Sequence, residues 1–258
     1  MSESTILTSK KDGIATVTIN RPEVRNALDT ESWRRLREVF MQLDADDEVR
    51  VIVITGAGDK AFIAGADLNA LKIRSSVETF YGQNAECVET IENVSKPTIA
   101  MINGFCLGGG LEVALGCDIR MASDDAKFGQ TELNVGILPG CGGTQRLPRT
   151  VGMAKAKELI FSGKIISAQE ADKIGLVNNV LPKDKLLEET MQLAKSIADK
   201  STIGVKAAKI AVNRGCDSNL ATGLKLEKLA QSFIFSTEDH LEGINAFLEK
   251  RPPKFSNK

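Results

Sequence analysis

The sequence predicts an α/β protein that ends in an all-helical segment. Short β-branched runs alternate with helically spaced apolar residues as far as about residue 180. The run VRVIVIT (49–55) is continuously apolar over residues 51–54, as in a strand that is buried on both faces. Beyond residue 183 only helical spacing remains. We therefore expect an α/β core over residues 1–182 and a helical region over residues 183–258.

The first elements are two short strands, Ile6-Leu7 and IATVTIN (14–20), and the KKDG segment between them predicts a hairpin. A polar loop over residues 20–29 follows. Asp29 is placed to cap the next helix, because its side chain can accept from the free N–H groups of the first turn. The apolar residues of that helix recur at helical spacing: Trp33, Leu36, Phe40 and Leu43.

The middle of the chain continues the alternation. After the strand 49–55, a glycine-rich loop leads into a helical stretch that ends near residue 93. PTIAMIN (97–103) and CDIRMAS (117–123) predict two further strands, with a short helix between them.

In the C-terminal region the last helix is expected to begin at Ser236, with Asp239 completing a near capping box, and to end at Pro252-Pro253. These helices are too apolar for freely exposed faces, so they should pack on the core, on a neighbouring subunit, or on both.

Composition narrows the possible functions. The 258 residues carry 33 Lys+Arg against 34 Asp+Glu, a net charge of -1, which offers no basic surplus for a nucleic-acid partner. The longest apolar stretch, 97–117, is interrupted by Pro97, Asn103 and Glu112, so no membrane span is expected. The five cysteines form no C-x-x-C pair, which favours a reducing compartment, and with no targeting pattern at the N-terminus we expect a cytoplasmic protein.

Two familiar kinds of site are not expected. GAGDKA (56–61) follows a strand as a dinucleotide motif does, but another glycine stands where the helix should open. The single histidine, His240, has no G-x-S-x-G partner motif and is expected to face solvent. No cluster with metal-ligand spacing is present, so no metal is expected.

The stretch NGFCLGGGLEVALGCDIR (103–120) carries the main chemical signal. A glycine triplet, Gly108 to Gly110, lies between an apolar strand and a helix, so its N–H groups can stabilise a developing oxyanion. Glu112 follows among apolar residues, and desolvation should raise its pKa towards a range useful for proton transfer. A packing turn is the alternative explanation for the triplet. A second carboxylate, Glu132, lies in a loop that could bring it to the same site, although an ordinary surface glutamate has the same spacing.

Six motifs in order along nearly the whole chain resemble the enoyl-CoA hydratase (crotonase) family. They are INRPEVRNALD, VRVIVITGAGDKAFIAGADL, KPTIAMINGFCLGGGLEVALGCDIRMAS, FGQTELNVGILPGCGGTQRLPR, AQEADKIGLVNNV and FLEKRPPKF. The resemblance implies a spiral of ββα turns with a C-terminal helical trimerisation region. It also implies a homotrimer or a homohexamer built as a dimer of trimers.

The resemblance also implies the site. An acyl-CoA thioester carbonyl would lie between the backbone N–H groups of Ala66 and Gly109, with Glu112 and Glu132 as the catalytic carboxylates. Gly140 would help to position the water through its N–H. Coenzyme A contacts would come from the early loop, from the region of Ala66 and from the end of the last helix: Val24, Arg25, Ala27, Ala64, Asp67, Leu68 and Lys250.

Family members differ in the groups around the enolate, so the family alone does not fix the reaction. Hydratases carry both glutamates, whereas Δ3,Δ2-enoyl-CoA isomerases generally keep only the later one. This chain has both, so we expect a hydratase of short- to medium-chain trans-2-enoyl-CoA, with no cofactor beyond the coenzyme A of the substrate. An isomerase that uses Glu132 alone, or a silent acyl-CoA- or RNA-binding relative, is the alternative. Many hydratases have proline where this chain has Thr131, which loosens the backbone before Glu132.

Overall fold

Two β-sheets and a series of helices build the protein in the computed structural model, which describes residues 4–257. The strands are β1 (Ile6–Lys11), β2 (Ile14–Ile19), β3 (Val51–Gly56), β4 (Ala61–Ile63), β5 (Thr98–Ile102), β6 (Phe105–Leu107), β7 (Ile119–Ser123), β8 (Lys127–Gly129), β9 (Ile166–Ser167) and β10 (Asn179–Leu181). The helices are α1 (Thr30–Ala45), α2 (Leu68–Lys72), α3 (Ser76–Phe80), α4 (Gln83–Asn93), α5 (Gly109–Gly116), α6 (Gly143–Val151), α7 (Met153–Ser162), α8 (Ala168–Lys173), α9 (Leu186–Ala198), α10 (Thr202–Cys216), α11 (Leu220–Ile234) and α12 (Glu238–Leu248). The predicted α/β class is confirmed.

The larger sheet has the order β1-β2-β3-β5-β7-β10, antiparallel at the β1–β2 hairpin and parallel elsewhere. The hairpin is confirmed, although β1 runs on to Lys11. Asp12 and Gly13 then make a two-residue turn with φ of 52° and 78°, the left-handed geometry that suits a tight hairpin.

Strand β3 lies between two apolar clusters, as its continuous apolar run predicts. Ile52 and Ile54 pack with residues of α1, whereas Val51 and Val53 pack with residues of α9. Successive side chains of a strand point to opposite faces, so helices on both sides of the sheet require apolar residues at every position.

The smaller sheet, with the order β4-β6-β8-β9, was not predicted. Strands β4 and β6 have three residues each; β4 lies in the predicted glycine-rich loop, and no element was predicted where β6 lies. Strands this short show no periodicity, and they are fixed by pairing with segments distant in sequence. Together, β4 and β6 place the ends of two loops beside the start of α5.

The helical stretch before residue 93 consists of three helices. Asp29 caps the earlier helix α1 as predicted, since its carboxylate accepts from the N–H of Ser32 at 2.8 Å. Helix α3 begins with a capping box between Ser75 and Glu78, and α4 packs against α1. The short helices α2 and α3 leave several large apolar side chains exposed.

The C-terminal region is helical throughout, as predicted, and α9 packs on the larger sheet. The predicted start of the last helix at Ser236 is wrong. Helix α12 begins at Glu238, because the hydroxyl of Thr237 accepts from the N–H of His240 at 3.3 Å. The carboxylate of Asp239 forms no capping box. It accepts instead from the hydroxyl of Ser201 at 2.6 Å and from backbone N–H groups of the C-terminal segment.

Helices α10 and α11 pair with each other, and a Cβ placed on Gly223 would lie 3.3 Å from the Cα of Gly215. Helix α11 turns a row of apolar side chains outward: Leu220, Leu224, Leu229 and Phe233. Among the helices of residues 4–257, none combines the length and the apolar character needed to cross a membrane.

Candidate active site

A cavity of about 730 Å³ opens where the start of α5 meets the segment from α2 to α4 and the loop before α6. Most of its wall is apolar, with Leu71, Ala85 and Ile137 among the lining residues. Both predicted catalytic glutamates also line it, together with Ala66 and Gly109. The structure therefore brings together Trp33 and three further segments of the chain, residues 64–85, 108–112 and 131–141.

The glycine triplet has a separate steric reason at each position. Gly108 has φ 52° and ψ -124°, a conformation that side chains disfavour. A Cβ on Gly110 would lie 2.0 Å from the carbonyl oxygen of Ile63, so α5 can approach β4 this closely only without a side chain there. Gly109 is the first residue of α5, and a Cβ there would lie 3.2 Å from the ring of Trp33.

Two backbone N–H groups are available beside Gly109. The N–H of Gly109 has no acceptor within its own helix, because it belongs to the first turn. Ala66 forms a parallel bridge with Leu28, in which Leu28 donates to Gly65 and Asp67 donates to Leu28. In that pattern the N–H of Ala66 points away from Leu28. The amide nitrogen of Ala66 lies 3.7 Å from the Cβ position of Gly109.

Glu112 is only 2% exposed and lies on α5, of which every residue is buried. Its Oε1 accepts from the N–H of Cys141 at 2.7 Å and from the N–H of Gly143 at 2.8 Å. Burial raises the pKa of Glu112, whereas these two hydrogen bonds stabilise the carboxylate and oppose the rise. Glu112 is therefore a buried carboxylate with one oxygen fixed by two donors.

Glu132 begins a short 3-10 helix, Glu132–Val135, and is 9% exposed. Its Oε1 accepts from Nε2 of Gln130 at 2.9 Å, while Oε2 is buried and has no partner within the described residues. Burial, and next the negative charge of Glu112, raise the pKa of Glu132 to about 7. Glu112 accepts from two backbone N–H groups and Glu132 accepts only from Gln130, and this difference can divide the roles of base and acid.

This arrangement can stabilise negative charge on a carbonyl oxygen while protons move at neighbouring atoms. The two N–H groups supply the stabilisation, as in an oxyanion hole. The two glutamates supply a proton acceptor and a proton donor, and burial raises the pKa of both.

The other predicted site residues fall into two groups. Ala64, Leu68 and Gly140 line the cavity. The remainder lie outside its lining: Val24, Arg25, Ala27, Asp67 and Lys250.

The outer residues nevertheless shape the neighbouring loops. The carbonyl of Arg25 accepts from the N–H of Ala64 at 3.1 Å, and Asp67 caps α2 by accepting from the N–H of Asn69 at 2.8 Å. Val24 is exposed in the early loop. Lys250 is exposed just beyond α12, where its φ is 55°.

Sequence reasoning missed three residues of the site. Trp33 was predicted only as a core residue of α1, yet it also lines the cavity. Cys141 and Gly143 supply the donors to Glu112, and the only signal for them was the glycine-rich run in which they lie.

The prediction that His240 faces solvent is wrong. Its ring is half-buried and stacks on Phe235, with 4.2 Å between ring centroids. GAGDKA leads into strand β4 and opens no helix, in agreement with the rejection of a dinucleotide motif. Within residues 4–257, no three His, Cys, Asp or Glu side chains are grouped so that they could hold a metal ion.

Comparisons with known proteins give a consistent result. The family model described as Enoyl-CoA hydratase/isomerase matches residues 9–258. The Short-chain-enoyl-CoA hydratase of Clostridium acetobutylicum is 42% identical over 253 residues, covering 97% of each chain. The Crotonyl-CoA hydratase of Syntrophomonas wolfei is 40% identical over the full length of both chains. The crystal structure of Enoyl-CoA Hydratase from Bacillus anthracis superposes with a TM-score of 0.96 at 39% identity, covering 99% of this chain and 100% of that one.

Proposed function

The chain belongs to the enoyl-CoA hydratase/isomerase family, and we propose that it is a hydro-lyase that adds water reversibly to short- to medium-chain trans-2-enoyl-CoA. The observation that carries this proposal is the pair of buried carboxylates in one cavity. Glu112 accepts hydrogen bonds from two backbone N–H groups, and Oε2 of Glu132 has no hydrogen-bond partner within the described residues. An isomerase needs one group to move a proton, whereas hydration needs a base for water and an acid for carbon.

In this mechanism the thioester carbonyl oxygen binds between the N–H groups of Ala66 and Gly109. Their donation polarises the conjugated enoyl group, which makes Cβ electrophilic, and stabilises the enolate that forms on attack. Each such donor typically contributes about 3 kcal/mol to the transition state. No metal or further cofactor is required for this polarisation.

Two proton transfers complete the addition. Glu112 accepts a proton from water as the water oxygen bonds to Cβ, and the N–H of Gly140 helps to hold that water. The electron pair of the double bond moves to the enolate, and as the enolate collapses, Glu132 donates its proton to Cα. By the family resemblance, both additions occur from the same face of the double bond. In the reverse direction Glu132 removes the Cα proton and Glu112 protonates the departing hydroxide.

Coenzyme A would lie along the loop that carries Val24, Arg25 and Ala27 and along Ala64, Asp67 and Leu68. Lys250 would meet its 3′-phosphate from a neighbouring subunit. The assembly would be a homotrimer or homohexamer, an idea supported by the outward apolar row on α11. Sedimentation of the purified protein distinguishes these states. The balanced charge supports an enzyme without a nucleic-acid or membrane partner, and the five free cysteines, of which four are buried, support a cytoplasmic location.

The direct test is to mix the protein with crotonyl-CoA and follow the ultraviolet band of the conjugated enoyl thioester. Hydration removes the band, whereas a catalytically silent binder leaves it unchanged. A 3-enoyl-CoA substrate would instead gain the band if isomerisation were the main reaction, as the bare oxygen of Glu132 alone would allow. No change with crotonyl-CoA would refute the proposed hydratase.

A further inference from the structure

We propose that Arg146, clamped by Glu92, is a positioning residue that holds the loop 141–143 in the shape that binds Glu112. The inference rests on the proposed function, because it assigns to Arg146 an effect on the proposed base. Arg146 does not itself line the cavity, and it makes no hydrogen bond to the carboxylate of Glu112. Its action would pass through the backbone that supplies the two donors.

The clamp joins three elements. The guanidinium of Arg146, on α6, binds Glu92 on α4 in a two-point ion pair, Nε to Oε1 at 3.1 Å and Nη2 to Oε2 at 2.6 Å. Its third nitrogen, Nη1, donates to the carbonyl oxygen of Cys141 at 2.9 Å. This use of the planar fork fixes the guanidinium in position and orientation.

The carbonyl that Arg146 binds lies between the two donors to Glu112. The N–H of Cys141 precedes it and the N–H of Gly143 follows it along the backbone. Fixing this carbonyl therefore orients the peptide units on both sides, so that both N–H groups converge on Oε1 of Glu112. A concave run of N–H groups of this kind is a common anion-binding device.

Gly142 adds independent support, because its backbone is shaped around the guanidinium. Its φ is 102°, and a Cβ there would lie 1.9 Å from Nη1 of Arg146. The loop therefore has the space for the guanidinium only because residue 142 has no side chain.

The positive charge of Arg146 stabilises the carboxylate form of Glu112, as do the two backbone hydrogen bonds from the loop. The groups that face Glu112 are the carboxyl of Glu132, the thiol of Cys141 and, farther off, the guanidinium of Arg146. Burial raises the pKa of Glu112, and the positive charge of Arg146 opposes that rise. Glu92 and Glu89 in turn favour the charged form of Arg146.

The test compares three substitutions with one control. Arg146→Met removes the charge and the hydrogen bonds, Arg146→Lys keeps the charge without the fork, and Glu92→Gln weakens the clamp at a partly exposed site. Arg149→Met is the matched control, because Arg149 lies on the same helix and is exposed. Each protein is assayed for crotonyl-CoA hydration against pH, and its Tm is measured.

We expect Arg146→Met to lower kcat roughly 10- to 100-fold with KM little changed, the range for losing a charge-assisted hydrogen bond. The acid limb of its kcat/KM profile should move to higher pH, because the pKa of Glu112 rises when the positive charge is removed. Arg146→Lys should lower kcat while the acid limb of its profile stays near that of the parent. Glu92→Gln should have an acid limb between those of the Arg146→Lys and Arg146→Met proteins. Arg149→Met should match the parent protein.

A lower Tm with an unmoved acid limb would assign Arg146 to stability alone and overturn the proposal, as would equal kinetics for the Arg146→Met and Arg149→Met proteins. A second readout does not depend on activity. Infrared titration of the Glu112 carboxyl, assigned by its loss in Glu112→Gln, should show a higher midpoint in Arg146→Met. If the parent protein fails to hydrate crotonyl-CoA, the proposed function is refuted, and an unchanged infrared midpoint would separately refute the positioning role.

Discussion

Glu132→Gln should make the protein more stable at alkaline pH while it removes activity. The carboxyl of Glu132 is buried, and its Oε2 has no partner within residues 4–257. In the folded protein its pKa is about 7, against an ordinary value of 4.5. At about 1.4 kcal/mol per pKa unit, this rise corresponds to about 3 kcal/mol.

The sign of this effect on the free energy of unfolding follows from the fact that Glu132 ionises at lower pH in the unfolded chain than in the folded protein. Well below pH 4.5 the carboxyl is protonated in both the folded and the unfolded protein, so it imposes no penalty. As pH rises from 4.5 to about 7, the unfolded chain ionises and the folded protein does not, so the free energy of unfolding falls. Above that range the folded protein carries the full cost of a buried carboxylate. Glutamine has nearly the same shape, and its amide oxygen can keep the hydrogen bond from Gln130.

The assay is urea unfolding of parent and variant at one protein concentration, at pH 5 and at pH 8. The variant should gain up to about 3 kcal/mol over the parent at pH 8, and most of this difference should vanish at pH 5. Equal pH dependence in the two proteins would show that Glu132 titrates normally, and the division of roles between the glutamates would then lose its electrostatic basis.

Three further outcomes are expected. Glu112→Gln should lower the kcat for crotonyl-CoA hydration by roughly 10²- to 10⁴-fold, the range for losing a general base, and an unaltered rate would remove Glu112 from the mechanism. Hydration needs the proton on Glu132 and dehydration needs it on Glu112, so both directions use the singly protonated pair, and kcat/KM for crotonyl-CoA and for 3-hydroxybutyryl-CoA should fall together as pH rises above about 7; a kcat/KM that stays level from pH 6 to pH 9 would contradict this. Gly110→Ala should lower stability by about 3 kcal/mol or more, because its Cβ would lie 2.0 Å from the carbonyl oxygen of Ile63. Gly243→Ala, whose Cβ meets only an ordinary 3.5 Å contact, is the control in the same urea assay.

Local signals were sufficient for the elements whose partners lie nearby in sequence. The cap of Asp29 on α1 and the continuous apolar run of β3 predicted what the structure has. The burial of Glu112 also followed from its apolar neighbours. In each case the structure is decided either by a hydrogen bond within one helical turn or by the burial of an apolar stretch of sequence.

The sequence did not predict the features that depend on contacts between distant segments of the chain. Strands β4 and β6 exist through pairing across the fold, and the stacking of His240 on Phe235 depends on the turn before α12. Residue patterns alone gave no reason to place Ala66 beside Gly109, and only the family resemblance did so. The donors from Cys141 and Gly143 were missed, because a glycine-rich run does not reveal which anion it surrounds.

The complete burial of α5 has a consequence for protein engineering. A library that varies residues 109–116 would mostly yield misfolded chains, since each substitution there meets packed neighbours. The apolar cavity wall outside α5 includes Leu71, Ala85 and Ile137, which are at least partly accessible to solvent and carry none of the proposed proton transfers. Variation confined to that wall should retune acyl-chain selectivity while the chemical machinery stays intact.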